Sequence, residues 1–536
     1  MSTPPAAVWR RMLRAASECV QPRECRVVQG QVPDDLRGTL YRIGAGDAAP
    51  YEHWFDGDGW ACAVAFRGPE APPLFRARYV DTARRRAQAA WTGPAGQRAA
   101  RGVWTQRGDG RVLQNSGRLP TNPSNTNLLL RDGRLLVLCE GGPPAVLDPG
   151  TLATLDPADA CGVASFFGAH PRTDPATGTL VGCGLQLGAM SCDNLLPSFP
   201  PRLNFFEWKA NETRPGRQRA HALPFFTFVH DLAITPTRAL VLLPPYVIPD
   251  IPTYAAAVLG RRAVGMAFEW RPELGTRVMV IDRETLEVEG VARLPDPAPT
   301  AYHIINAWED EGEAEGVAAV SEGGSSSSVS RLGSDSASVS LLICEQANGD
   351  RAELEAQYRD IQGAVFTPGL QCKAVEYRLQ LPGRRGDGRQ GRGVAACVAR
   401  VEHAAAARPF ELPEIHPAYV GRRARYAHTW CQSADAAPFA DALQRVELRA
   451  GGAASPVVAF GPGRAAGAPL FVPRGRGETD GYLLTFVYDA SREESDLVVL
   501  DAADLEGGPV CTVALGQHVP PLFHGIWSEE VHMDLE

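Results

Sequence analysis

The chain has 536 residues and a formal net charge of −9 at pH 7, with 53 Lys and Arg residues against 62 Asp and Glu residues. Nucleic-acid binding needs clustered positive charge on one face, so this balance argues against a nucleic-acid partner. No stretch of about twenty residues is both apolar and free of charge, so the sequence predicts no transmembrane helix.

The first 32 residues precede the strand-rich part of the chain. Residues 1–32 contain Arg10, Arg11 and Arg14 but no apolar stretch typical of a secretory signal. We interpret them as an N-terminal extension that is either flexible or a targeting segment. Two locations stay open: the cytoplasm, with or without membrane association, and the plastid.

Short apolar runs bounded by turn residues recur from residue 33 onward. In one example, the runs 128–130 and 135–138 flank Asp132-Gly133, the dipeptide of a tight β-hairpin. The 54 Gly and 44 Pro residues suit a chain with many turns. Repeated hairpins predict an all-β fold, and a closed β-propeller hides its strand edges. We therefore expect one propeller domain over 33–536.

Two segments interrupt this pattern. Residues 312–340 are rich in Ser, Gly and Glu and cannot bury a core, which predicts a disordered surface insertion. Residues 242–259 are apolar, broken by Pro, and contain a single acid, Asp250. Two interpretations of 242–259 stay open: a buried lid over the active site, or an exposed apolar patch that makes monotopic contact with a membrane.

Four of the eleven histidines lie in segments that resemble the ends of buried strands: His170, His230, His303 and His524. Imidazole is the commonest protein ligand of mid-row metals, and four neutral imidazoles would hold Fe(II) without neutralising its charge. The long intervals between these residues match no short metal motif, so a hydrogen-bonded core histidine is the competing interpretation of each. The sequence predicts an iron site on condition that the fold brings the four rings together.

Several motifs, in order along the chain, resemble those of the carotenoid cleavage oxygenases. They are LRGTLYRIG at 36–44, HWFDGDG at 53–59, NTN at 125–127, EGGP at 140–143, AHPRTDP at 169–175, HDLAIT at 230–235, HIINAWE at 303–309 and FHG at 523–525. The resemblance extends over about residues 33–527. It implies a seven-bladed β-propeller with a helical and loop cap over an axial iron site.

The resemblance also implies roles for individual residues. Fe²⁺ would be held by the four histidines already named, and Glu140 and Glu411 would accept hydrogen bonds from ligand histidines. Thr126 matches a threonine that crowds an open iron position in relatives. A third carboxylate position departs from the family, because Ala468 stands where relatives carry Glu in a Glu-Pro-x-Phe-Val-Pro segment. Judged without the family, Glu411 and its neighbour Glu414 are equal candidates for the buried acid.

The implied activity is that of a non-heme Fe(II) dioxygenase. Such an enzyme cleaves a conjugated double bond of a carotenoid or apocarotenoid with molecular oxygen and releases two carbonyl products, and a hydrophobic tunnel selects the bond. Three alternatives stay open: a stilbene-cleaving oxygenase, a retinoid isomerase on the same iron site, and a non-catalytic propeller that serves as a binding scaffold. Cys139 stands where stilbene-cleaving members carry a lysine, which favours carotenoid-type substrates.

Overall fold

The computed structural model describes residues 5–47, 55, 57–89, 122–190, 195–258, 267–310, 337–346, 372–382, 395–403, 406, 408–434, 437, 439–449 and 455–534. Its N-terminal part contains two helices and five strands: α1 (Pro5–Met12), β1 (Cys19–Glu24), β2 (Arg26–Gly30), β3 (Gly38–Asp47), β4 (Asp58–Phe66), β5 (Leu74–Tyr79) and α2 (Ala83–Ala89). Almost all of the remaining elements are strands.

The middle of the chain continues with β6 (Asn127–Arg131), β7 (Arg134–Leu138), β8 (Ala145–Leu147), β9 (Thr154–Asp156), β10 (Arg172–Thr173), β11 (Leu180–Met190), β12 (Leu195–Trp208), β13 (Arg217–Ala222), β14 (Leu232–Ile234) and β15 (Arg238–Leu243). It then contains β16 (Tyr246–Val247), α3 (Ile251–Val258), β17 (Glu269–Trp270), a 3₁₀ turn (Pro272–Leu274), β18 (Arg277–Asp282), β19 (Val288–Arg293), β20 (Ile304–Glu309) and β21 (Ser338–Gln346).

The C-terminal part contains β22 (Cys372–Gln380), β23 (Ala396–His403), β24 (Phe410–Glu414), a second 3₁₀ turn (Pro417–Tyr419), β25 (Tyr426–Cys431), β26 (Ala442–Glu447), β27 (Val457–Ala459) and β28 (Arg464–Ala466). The last strands are β29 (Leu470–Pro473), β30 (Gly481–Asp489), β31 (Glu494–Asp501), β32 (Pro509–Ala514) and β33 (Leu522–Ser528).

Hydrogen bonding groups these strands, apart from the separate pair β16-β17, into seven blades of antiparallel strands. From the inner to the outer strand, blade one is β6-β7-β8-β9, blade two is β10-β11-β12-β13, blade three is β14-β15-β18-β19, blade four is β20-β21-β22-β23 and blade five is β24-β25-β26-β27. In blade six, β28 and β29 both pair with β30, and β31, β32 and β2 follow; blade seven is β33-β3-β4-β5-β1. The chain is a seven-bladed β-propeller, as the family resemblance implied.

Apolar clusters fill each of the seven interfaces between neighbouring blades. Strand β4 shows how one strand contributes to two of them, because side chains alternate between the two faces of a sheet. Trp60 and Val64 face blade six, whereas Ala61 and Ala63 face blade one. A strand buried on both faces is apolar throughout, and this explains the continuous apolar runs in the sequence.

The predicted hairpin turn at Asp132-Gly133 joins β6 to β7. Both residues have positive φ, 51° for Asp132 and 71° for Gly133. Two successive positive φ angles define the type I′ turn, whose twist matches that of paired strands. The dipeptide therefore adopts the conformation for which it is favoured.

The two ends of the chain meet in the last two blades. The C-terminal strand β33 pairs with β3, and the N-terminal strands β1 and β2 form the outer edges of blades seven and six. Helix α1 buries Val8, Trp9 and Met12 against Tyr488 and Phe523. The proposed extension over 1–32 thus contributes packed structure from residue 5 onward, which the sequence did not predict. A targeting role for it remains a proposal.

The structure describes most of the apolar segment 242–259 but little of the proposed insertion at 312–340. Residues 311–336, most of the proposed insertion, lie outside the described residues, and β21 begins at Ser338. The apolar segment 242–259 begins in the core, where Leu242, Val247 and Ile248 are buried, and ends in α3, where Ile251 is exposed. Within the described part of the chain, no helix is long and apolar enough to cross a membrane.

We predict that His428 makes the fold sensitive to acid. This residue of β25 is fully buried 5.5 Å from the ring centre of Phe471, and burial, reinforced by Arg445, lowers its pKa to about 3. The unfolded chain binds a proton on this histidine near pH 6.5 and the folded chain does not, so stability is lost as pH falls from 6.5 towards 3. Between pH 7.5 and pH 5 the expected loss is about 2 kcal/mol.

Urea unfolding of the wild type and a His428→Gln variant at the two pH values measures this effect. The variant should lose less stability than the wild type by that amount. His532→Gln is the matched control, since it makes the same substitution at a histidine that is only partly buried. Equal pH dependence in wild type and His428→Gln would contradict the prediction.

Candidate metal centre

The four predicted ligand histidines come from four blades and occupy equivalent places. His170, His230 and His303 lie just before the inner strands β10, β14 and β20, and His524 lies in the inner strand β33. Inner strands converge on the axis of a propeller, so their first residues form a ring at one level. The fold therefore brings together histidines that are far apart in the sequence.

The rings of these histidines meet around a common point. One ligand nitrogen from each of the four lies within 4.8 Å of the others. His303 Nε2 is 3.4 Å from His230 Nε2 and 3.3 Å from His524 Nε2, and His170 Nε2 is buried without a hydrogen-bond partner. These nitrogens converge with few protons to share, and a cation between them would bind the lone pairs that point inward. The arrangement fits a metal ion held by four imidazoles.

Two carboxylates orient two of these rings from behind. His230 Nδ1 is hydrogen-bonded to Glu140 Oε1, and His303 Nδ1 is hydrogen-bonded to Glu411 Oε2 at 2.6 Å. A carboxylate can only accept from Nδ1–H, and this leaves the lone pair of Nε2 free to bind a metal. Of the two neighbouring acids, Glu411 is the one that reaches a histidine. Glu414 Oε1 instead faces the backbone N–H of Phe471 at 3.5 Å.

Burial and mutual repulsion determine the charge of the rings. Burial, together with the neighbouring imidazoles, lowers the pKa of His170 and of His524 well below the usual value. Burial opposes a proton on His230, but the carboxylate of Glu140 more than offsets it, so the pKa of His230 is raised. Neutral rings are the metal-binding form, and a metal ion on His230 Nε2 would take the place of the second proton.

Arg172 and Asp231 lock three of the four histidine segments together, and the sequence did not reveal this. Arg172 Nη2 donates to Asp231 Oδ2 at 2.7 Å and to the Ile304 carbonyl at 2.9 Å. Asp231 Oδ2 also accepts the N–H of Ile304 at 2.8 Å. Asp231 follows His230, Ile304 follows His303, and Arg172 lies two residues after His170. Their bonds therefore position these three histidines relative to one another. The adjacent His-Asp pair in the sequence was the available signal.

Among the described residues, no carboxylate is hydrogen-bonded to His524. In the described structure its only hydrogen-bond contact is the one with His303 Nε2. Blade five places Glu411 at the start of its inner strand, whereas blade six places Ala468 between β28 and β29. The third carboxylate position, where the sequence departs from the family, thus lies in the blade next to His524.

The remaining predicted residue, Thr126, lies directly before the inner strand β6 of blade one. Its Oγ1 donates to Asn125 Oδ1 at 3.2 Å, and its backbone N–H donates to the Leu138 carbonyl. Thr126 therefore occupies the blade-one place in the ring that the histidines occupy in blades two, three and four. Its proposed role near an open metal position remains a proposal.

An aromatic cavity lies beside His230. It has a volume of about 20 Å³, and its lining includes Phe228, Tyr246, Trp270 and Tyr302. Phe228 stacks on the His230 ring with 5.8 Å between ring centres, and Tyr302 meets the same ring edge-on at 5.6 Å. The histidine cluster therefore borders a wall suited to an apolar, unsaturated ligand.

Comparison with known proteins agrees with this geometry. The family model of RPE65, retinal pigment epithelial membrane protein, matches residues 13–529. This chain belongs to the RPE65 and carotenoid oxygenase family. It is 30% identical over 514 residues to the apocarotenoid-15,15′-oxygenase of Synechocystis, covering 94% of this chain and 92% of that protein. It is 27% identical to the chloroplastic carotenoid cleavage dioxygenase 7 of Oryza sativa subsp. japonica, covering 98% and 92%.

Solved structures show the same fold. The cobalt-substituted Synechocystis ACO, an apocarotenoid oxygenase, superposes with a TM-score of 0.75 at 26% identity, and the match covers 98% of each chain. That protein therefore has a site that accepts cobalt. The family resemblance stated from the sequence is therefore confirmed, together with the seven-bladed fold.

Proposed function

We propose that this protein is a dioxygenase that cleaves a conjugated double bond of a carotenoid or apocarotenoid, with Fe²⁺ held by His170, His230, His303 and His524. The observation that carries the proposal is the meeting of four buried imidazoles within 4.8 Å, in a chain of this family. Bound Fe²⁺ would supply the oxygen chemistry, through which dioxygen adds one oxygen atom to each carbon of the broken bond.

The protein's own residues hold and orient the reacting groups. Glu140 and Glu411 fix the tautomers of two ligand histidines, and the lock of Arg172 and Asp231 fixes their spacing. The aromatic wall beside His230 presents flat apolar faces to a polyene. Holding an alkene against the metal in one orientation is the protein's main contribution to such a reaction.

A continuous series of aromatic rings connects the metal centre to α3. It runs from His230 through Phe228, Phe268 and Phe226 to Tyr254, with successive ring centres 5.4 to 5.9 Å apart. Tyr254 belongs to α3, whose residue Ile251 is exposed. This series supports a path by which an apolar substrate approaches from the α3 surface.

Reaction with labelled oxygen tests the proposed function. Protein purified without oxygen should contain about one iron per chain, as a single four-histidine cluster requires. It is then incubated under ¹⁸O₂ with a panel of carotenoids, apocarotenals, stilbenes and retinyl esters, and aldehydes are reduced as they form. Cleavage of a polyene with one ¹⁸O in each product supports the proposal. Cleavage of stilbenes alone would instead indicate a stilbene-cleaving oxygenase, and unlabelled isomerisation of a retinoid would indicate an isomerase. Absence of stoichiometric metal would indicate a binding scaffold.

We predict that Glu411→Gln weakens iron binding by about 10- to 100-fold, because a neutral amide oxygen accepts the hydrogen bond of His303 Nδ1–H more weakly than a carboxylate does. Iron affinity is measured by competition with a chelator, and cleavage is measured at saturating iron. Glu414→Gln is the matched control, since it makes the same change three residues away on a side chain that reaches no ligand histidine. An equal loss in both variants would show that the effect is not specific to the histidine partner.

We propose that α3 makes the membrane contact through which substrate enters. The exposed Ile251 lies on this helix, whereas Val247 and Ile248 are buried. The prediction is that Ile251→Asp lowers co-sedimentation with liposomes severalfold without changing cleavage of a short, detergent-dispersed apocarotenal, because a charge cannot enter the lipid. Leu155→Asp is the matched control at an exposed apolar residue of another surface. Unchanged sedimentation of Ile251→Asp would contradict membrane contact at α3.

Two cellular locations are proposed for this protein. The rice relatives described as chloroplastic support the plastid alternative, while the cytoplasm remains our first proposal. Detection of a fluorescent fusion in plastids of a host cell would decide for the plastid.

A further inference from the structure

A second cavity lies where blades five, six and seven meet. It has a volume of about 40 Å³ and shares no lining residue with the aromatic cavity beside His230. Its lining includes Leu412 from blade five, Ala468 from blade six and Arg42 from blade seven. A single water needs roughly 10–15 Å³ of such volume, so this cavity has room for a few waters or for one small ion.

Arg42 places a buried positive charge at this cavity. The residue is 3% exposed, and its Nη2 donates to the Phe523 carbonyl at 3.2 Å. Its Nε has no hydrogen-bond partner, and no carboxylate of the described residues lies within 4.0 Å of the guanidinium. The carboxylate of Glu414 attracts the charge of Arg42, but it does so from farther away than that distance. A buried guanidinium without a close counter-charge is costly, because its charge has left water uncompensated.

Tyr488 adds a second unused donor to the same lining. It is 3% exposed, and its hydroxyl has no hydrogen-bond partner in the described structure. Arg42 can only donate hydrogen bonds, and the phenol of Tyr488 has a proton to give. Apolar side chains, such as Phe486 and Leu522, form much of the remaining wall. A lining with one cation, unused donors and apolar surface favours an anion over water alone.

Ala468 explains why the cavity exists. It stands at the inner edge of blade six, as Glu411 does in blade five, and it lines the cavity with a side chain of a single methyl group. A glutamate at residue 468 would extend further from the same point. The cavity therefore lies at the same residue, Ala468, at which this chain lacks the negative charge of a glutamate.

We propose that this cavity binds one small carboxylate-like monoanion, such as formate or bicarbonate, on the Arg42 guanidinium with support from the Tyr488 hydroxyl. The bound anion takes the place of a carboxylate side chain next to the blade that carries His524. The site belongs to the protein alone, so the inference does not depend on the proposed iron chemistry.

Calorimetric titration with sodium formate tests the proposal. The titration uses iron-free and iron-loaded full-length protein, with ionic strength held constant by sodium gluconate, whose anion is too large for the cavity. Saturable one-to-one binding is expected in both forms, because Arg42 is present in both. Binding to the iron-loaded form alone would place the anion on the metal and overturn the proposal, as would heat that does not saturate.

Variants at the cavity sharpen the test. Ala468→Glu supplies its own carboxylate and should weaken formate binding more than tenfold, whereas Ala459→Glu, the same change at an exposed residue of blade five, should leave it unchanged. Tyr488→Phe keeps the ring but loses the donor and should weaken binding severalfold, which tests the site even if Ala468→Glu fails to fold. Wild-type affinity in folded Ala468→Glu, or in Tyr488→Phe, would overturn the assignment.

Discussion

Replacing His303 with alanine is expected to remove the bound metal and to lower polyene cleavage by more than about 100-fold. His303 is central in the cluster, since its Nε2 faces the Nε2 atoms of both His230 and His524. Loss of an outer carboxylate partner already costs about 10- to 100-fold in metal affinity or activity, and loss of a ligand should cost more. Metal analysis and product formation at saturating iron measure the two effects.

His532→Gln provides the comparison, because this histidine bonds to Ser528 and belongs to no ligand group in the described structure. It should retain iron and cleavage at wild-type levels. Far-ultraviolet circular dichroism of His303→Ala should match the wild type, since the strands of each blade pair through backbone hydrogen bonds that do not involve this side chain. Full iron content in folded His303→Ala would remove this residue from the centre.

Gly525→Ala is expected to destabilise the protein by about 1–3 kcal/mol and to weaken iron binding together with stability. Gly525 follows His524 in β33 and pairs with Arg42 of β3. A Cβ at residue 525 would lie 2.2 Å from the Tyr41 carbonyl oxygen and 2.4 Å from Arg42 Cδ. Relief of this clash requires the two strands to separate, and any such movement carries His524 away from its three partners.

The midpoint of thermal unfolding and the iron affinity measure these changes. Gly477→Ala is the matched control, because a Cβ at this exposed turn would approach Asp480 Cβ at 3.3 Å and meet no backbone closer than 4.0 Å. It should change neither quantity appreciably. Normal stability and iron binding in Gly525→Ala would show that the β3–β33 pair tolerates the added methyl group.

The sequence predicted those parts of the fold that depend on local pattern. The turn at Asp132-Gly133 followed from the positive φ that both residue types tolerate, and the strands followed from short apolar runs. The number of blades and the ligand set came from ordered family motifs around residues such as His170 and His524. Local pattern could not supply them, because convergence on an axis is a property of the whole ring.

What escaped prediction has a common physical cause. Strands β1 and β2 are outer strands with largely exposed side chains, and β1 contains Pro22, so neither shows an apolar pattern. The lock between Arg172 and Asp231 consists of polar residues whose importance depends on partners from other blades. Likewise, the choice of Glu411 over Glu414 as the partner of His303 depends on the orientation of β24 near the axis.

The pairing of β33 with β3 also bears on how the protein is made. Strand β33 is the last of the described strands in the chain, and it carries His524. A nascent chain still lacking this strand can offer only three of the four imidazoles, so the proposed metal site would be complete only after translation has passed residue 524. A metal ion bound only by the finished ring would stabilise that ring by mass action. Cofactor loading would thus act as a checkpoint that distinguishes finished molecules from incomplete ones.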